Sequence, residues 1–109
     1  IPESSLDAVL TGVELLQTSK VDKSGKNIFI LITDAPPHVP TENGKHVPEI
    51  VDILKENNIT TYVVARKDKN SIESFDPLTK PDGKYYDLQD KFTDILDNIA
   101  ISITELVRL

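Results

Sequence analysis

The chain has 109 residues, a formal net charge of −6 and no cysteine. That length is one domain or less, and the missing thiols exclude disulfides, thiolate metal centres and cysteine nucleophiles. No basic patch of the kind a non-specific nucleic-acid binder needs is present, and no apolar run approaches the roughly 18 residues that span a bilayer. A hydrophobic content of 39% beside 28% charged residues is that of an ordinary globular protein. No secretory signal or lipidation motif is recognisable. Because the chain starts at Ile1 rather than Met, it reads as a processed or excised piece.

Ser4 or Ser5 can cap a first helix, predicted over residues 5–18. Asp7 favours its positive end, and Leu6, Val9, Leu10, Val13 and Leu16 fall at helical spacing. Gly12 lies inside it, which implies close packing on a neighbouring element. Residues 20–26 read as a solvated turn. Ile28 to Ile32 then run without a polar break, within a strand predicted over 27–33. Such a run suits a strand buried on both faces at the centre of a parallel sheet.

Pro36 and Pro37 forbid its continuation, and Asn43-Gly44 signals a turn in the loop after them. Pro48 fits the first turn of a second helix. Ile50, Val51, Ile53 and Leu54 give that helix its apolar face, and Asn57-Asn58 end it. Residues 59–65, rich in β-branched side chains, form a second strand. A strand–helix–strand connection in one sheet is parallel. Ser71 is placed to cap a single helical turn near Ile72 and Phe75, and Pro77, Pro81 and Gly83 prevent regular structure immediately beyond that turn. Tyr85, Tyr86 and Leu88 read as a short strand at a sheet edge. Asp90 opens a last helix with Phe92, Ile95, Leu96, Ile99, Ile103 and Leu106 as its apolar stripe and Arg108 near its negative end.

This order predicts an α/β fold: part of a doubly wound, Rossmann-like, mostly parallel sheet flanked by helices. Three strands are few for such a fold, and a chain that opens on a helix lacks the strand before it. Periodicity therefore points to the second half of a larger domain, or to a chain that pairs with a second one.

One acid stands out. Asp34 sits where the apolar strand ends, and in open α/β sheets that carboxyl end is where ligands bind. Asp ahead of Pro is also an ordinary turn residue, so the residue type leaves both roles open. His38 and His46 flank a Pro-rich loop without helical spacing and read as loop histidines.

Ile28-Phe-Ile-Leu-Ile-Thr-Asp34, the strand at 59–65, the short Tyr85-Tyr86 strand and the terminal helix together resemble the C-terminal half of a von Willebrand factor type A domain. Pro2-Glu3-Ser4-Ser5-Leu6-Asp7-Ala8 is similar to the Pro-Glu-x-x-x-Asp-Ala stretch of the integrin β-subunit I-like domain, and Thr33-Asp34-Ala35 with His38 resembles the same domain. The resemblance spans nearly the whole chain, which then counts as a single, incomplete domain over 1–109. It implies a metal-ion-dependent adhesion site, with Glu3 and Asp34 as the matching metal ligands. The ion implied is Mg²⁺, or Mn²⁺ or Ca²⁺, held weakly or not at all by this piece. The family's Asp-x-Ser-x-Ser, first strand, first helix and hairpin have no counterpart here. Mg²⁺ keeps several waters and can be held by one or two carboxylates, which leaves a position for a partner's acidic side chain.

The expected function is accordingly a protein-binding or adhesion module, with a metal-independent scaffold for assembly as the alternative. The implied partner is a protein that supplies an acidic side chain, with self-association possible. The resemblance leans toward an extracellular or cell-surface setting. An enzyme is not expected. The chain has no glycine-rich phosphate loop, Pro36 stands where a second acid would be needed, and no Ser-His-Asp arrangement is apparent.

Overall fold

A computed structural model of the chain describes residues 5–18, 26–37, 39–41 and 44–107. Glu3, His38, Asn43 and Arg108 lie outside the described residues, as does the turn over 19–25.

The elements in order are α1 (Ser5–Thr18), β1 (Asn27–Ile32), α2 (Val47–Glu56), β2 (Ile59–Ala65), α3 (Lys69–Phe75), a 3-10 turn (Asp76–Thr79), β3 (Tyr85–Asp87) and α4 (Phe92–Val107). The three strands form one parallel sheet in the order β1-β2-β3. Asn27 lies opposite Ile59 and Ile32 opposite Val64, and Val63 lies opposite Tyr85. This is a small α/β fold with helices on both faces, an arrangement compatible with a Rossmann-like sheet.

Alternation along the strands sorts the side chains into two cores. Val63 and Ala65 join Leu6, Val9 and Val13 of α1, Ile50 and Leu54 of α2, and Phe75 and Leu78, with Phe29 and Leu31 packed against them. On the opposite face Tyr62 and Val64 meet Ile95 and Ile99 of α4, with Ile28 and Tyr86 alongside. Gly12 has the reason expected of it: a Cβ there would stand 3.1 Å from the Phe29 ring. The Tyr62 hydroxyl, inside the sheet, donates to Ser102 Oγ of α4 at 3.1 Å.

The apolar run over 28–32 is not the central strand of this sheet. β2 is central, and its residues 60–65 are all buried, whereas β1 forms an edge with Ile30 46% and Ile32 49% exposed. Central position depends on neighbours rather than on composition, and Thr60-Thr61 lower the apparent hydrophobicity of the strand that has two.

The start of α3 differs from expectation as well. Asp68 is the N-cap, its carboxylate accepting from the Ser71 N–H at 2.8 Å, and Ser71 itself is buried. The cap thus lies three residues earlier, as N-cap geometry requires. α4 begins at Phe92, and the Asp90 N–H turns back to Asp87 O at 3.0 Å. Of the predicted α4 stripe, Ile95 and Ile99 are buried, but Phe92 and Leu96 are 49% and 43% exposed, because the sheet is too narrow to cover that flank. α2 carries Pro48 in its first turn and ends at Asn57, with Asn58 next in the left-handed region (φ 54°).

Candidate functional site

All three strands run the same way, so their carboxyl ends line one edge of the sheet. Asp34 stands at that edge, exposed, two residues past the end of β1. The backbone before it is fixed: the Thr33 N–H donates to Val64 O at 3.0 Å, which continues the ladder beyond the strand. Thr33 Oγ1 accepts from the Ala35 N–H at 3.1 Å, closing a tight turn around Asp34.

The same hydroxyl accepts from Ser5 Oγ at 3.0 Å. Ser5 is the first residue of α1 and is buried. One hydrogen bond therefore ties the start of α1 to the carboxyl end of β1. The first residue of α1 and the turn after β1 thus meet at this point. Glu3 itself lies outside the described residues.

The donors gathered here are all oxygens: one carboxylate and two hydroxyls. That chemistry suits a hard cation such as Mg²⁺ in kind. Among the described residues no group of three or more His, Cys, Asp or Glu is placed to hold a metal ion.

A second feature of this edge carries no motif in the sequence. The loops after β2 and β3 enclose a polar hollow of about 490 Å³, lined by Arg66, Lys67, Asp68, Asp87 and Gln89. The signal available was positional, since each of these residues lies just past a strand end or, for Asp87, closes one. The Tyr85 hydroxyl, from the first residue of β3, donates to the Arg66 carbonyl and ties β3 to the loop after β2. Burial, with the nearby charges of Asp68, Asp76 and Asp87, pushes the Tyr85 phenol up to about 12. The Ser71 backbone N–H holds the Asp68 carboxyl below its ordinary value. Asp68 is therefore ionised at neutral pH and committed to its cap, and Tyr85 is a neutral donor. Neither is poised to exchange a proton near pH 7.

His46 is exposed and precedes α2, where its backbone N–H donates to Glu49 Oε1 at 3.2 Å. That is a capping contact, in keeping with a loop histidine. Tyr85 and Tyr86 are sheet residues, as expected. Among the described residues no helix is long and apolar enough to cross a membrane.

No family model, curated protein or solved structure matches the chain.

Proposed function

We propose that the chain is a protein-binding module of the von Willebrand factor A type, whose intact form engages partners through a divalent cation at the carboxyl edge of the sheet. Asp34 is the ligand from the loop after β1, and Glu3, ahead of α1, is the second. The cation is Mg²⁺ or a similar hard ion, and an acidic side chain of the partner completes its sphere. The supporting observation is the Ser5–Thr33 hydrogen bond, which ties the start of α1 to the turn bearing Asp34; Glu3 precedes Ser5 by two positions in the sequence. A parallel sheet with an exposed acid just beyond a strand end is the setting in which α/β folds bind ligands.

A metal-independent scaffold is the alternative. It is favoured by the absence of an Asp-x-Ser-x-Ser segment from the given sequence.

Calorimetric titration with Mg²⁺ separates the two. The module reading expects binding heat that disappears in Asp34→Ala while the circular dichroism spectrum is unchanged. No heat for the unaltered chain favours the scaffold. Unfolding of Asp34→Ala would mark Asp34 as a structural turn residue and remove the basis for the site.

A further inference from the structure

The helical layer on the Val63 and Ala65 side of the sheet carries a groove of its own. Ile50 and Leu54 of α2, Phe75 of α3 and Leu78 of the 3-10 turn all enter the core on that side. Between α2 and the α3–3-10 segment lies a hollow of about 420 Å³, lined by Val47, Pro48, Val51, Asp52, Glu73 and Pro77. Helical spacing explains the lining from α2. Ile50 and Leu54, four apart, are buried, and Val47 and Val51, also four apart, are only half-buried. With exposed Pro48 and half-buried Pro77 they give the groove an apolar surface. α1 packs on α2 as well, through a hydrogen bond from Gln17 to Asn57, while the groove opens toward α3. A further strand beside β1 would therefore leave it open.

The ionisable groups in this lining are of one sign. Asp52 comes from α2 and Glu73 from α3, so each of the two helices contributes one carboxylate, and both residues are exposed. Asp52 has no ion-pair partner among the described residues. Glu73 meets Lys69 one turn back at 4.0 Å, with the two side chains 64% and 90% exposed, a contact worth little in water. An apolar groove bounded by two carboxylates selects its occupant by charge. Phosphate-bearing nucleic acid and acidic peptides are repelled, and a second copy of a chain with net charge −6 is disfavoured in the same way.

We propose that this groove docks a basic amphipathic segment of a partner protein. An apolar side chain of that segment packs against Val47, Val51 and Pro77, and lysines or arginines on either side of it reach Asp52 and Glu73. The groove uses none of the residues of the proposed cation site, and its test is run in chelator so that the two stand or fall separately. The ¹⁵N-labelled 109-residue chain is titrated with the peptide acetyl-Lys-Lys-Leu-Leu-Lys-Lys-amide. The amide peaks of Val47, Val51, Asp52 and Glu73 should shift and saturate. Those of α4 should not, although Asp94, Leu96 and Asp97 offer acids and an apolar side chain there too. Raising salt to roughly 0.5 M should weaken binding several-fold. A peptide with Ser in place of both Leu should not saturate the groove. The double variant Asp52→Lys/Glu73→Lys, at two exposed positions, should bind the lysine peptide about tenfold more weakly, two surface ion pairs being lost, and should accept the counterpart with Glu in place of Lys. Absence of any shift overturns the proposal. So do shifts as large on α4 as in the groove, equal binding of the Ser peptide, or affinity that neither salt nor the double variant changes.

Discussion

Gly83 is the position where a single added carbon should do most damage. It lies in the turn between the 3-10 segment and β3, and its N–H donates to Thr79 O at 2.6 Å. A Cβ at this position would stand 1.8 Å from the carbonyl oxygen of Thr61, where real Cβ contacts essentially never fall below 3.0 Å. Relief thus needs a shift of 1.2 Å (3.0 minus 1.8), and the obstacle is backbone rather than a side chain that can swing aside. That backbone belongs to β2, the buried central strand. Overpacking of this kind costs about 1–3 kcal/mol and at times more, and displacement of a central strand places Gly83→Ala at the upper end, about 3 kcal/mol. A domain of this size has a total stability on the order of 5–15 kcal/mol, so the urea midpoint should fall visibly and the melting temperature by more than about 10 °C. Gly12→Ala is the internal control. Its Cβ would meet the edge of the half-buried Phe29 ring at 3.1 Å, and the strain is offset by up to about 1 kcal/mol of helix propensity. Urea unfolding monitored by circular dichroism should therefore order the variants with Gly12→Ala near the unaltered chain and Gly83→Ala far below. Equal midpoints for Gly83→Ala and the unaltered chain would refute the close approach of this turn to β2.

Two tyrosines on the α4 face should respond differently to loss of the hydroxyl. Tyr62→Phe removes the bond to Ser102 and should cost about 0.5–1.5 kcal/mol, whereas the buried Tyr86 hydroxyl has no partner among the described residues and Tyr86→Phe should be neutral or stabilising by the same denaturation assay. Asp68 has a depressed folded-state pKa, caused first by the Ser71 N–H. Its contribution is therefore present above its ordinary value of 3.8 and lost as pH falls through the lower folded value. Asp68→Ala should be less stable than the unaltered chain at pH 7, with the gap narrowing in acid. Tyr85 has the opposite sign: its pKa is raised from 10.0 to about 12, chiefly by burial. Its stabilisation is complete below pH 10 and lost as pH climbs toward 12, so alkaline melting curves should decline over that window and decline less in Tyr85→Phe.

Where local chemistry decides, the sequence was sufficient. The first helix occupies residues 5–18 and the second strand 59–65, both as expected, because their periodicity and composition are unambiguous. Pro48 and the Asn57-Asn58 pair bound α2 for the reasons their backbones dictate. The failures were statements about neighbours. Five consecutive apolar residues suggested a strand covered on both sides, yet among the described residues β1 has β2 on one side only and Ile30 and Ile32 are exposed. The α4 stripe was correct in phase, but Phe92 and Leu96 extend past the sheet that buries Ile95 and Ile99. Ser71 has the residue type of a cap, but Asp68 holds the position three residues before the N–H it accepts from. Asp34 was legible as an exposed acid after a strand. Its link to the start of α1, through Thr33 and Ser5, was not, since residues 28 positions apart meet only through the fold. The polar hollow over Arg66 and Asp87 was hidden for the same reason.

The most direct test of the proposed cation site is Mn²⁺ titration of the ¹⁵N-labelled chain, read as paramagnetic broadening of its amide peaks. Binding at the carboxyl edge should erase the peaks of Thr33, Asp34, Ala35 and Ser5 first, leave those of α4 sharp, and vanish in Asp34→Ala with the spectrum otherwise dispersed. Broadening spread evenly over the surface acids, and unchanged in Asp34→Ala, would contradict it.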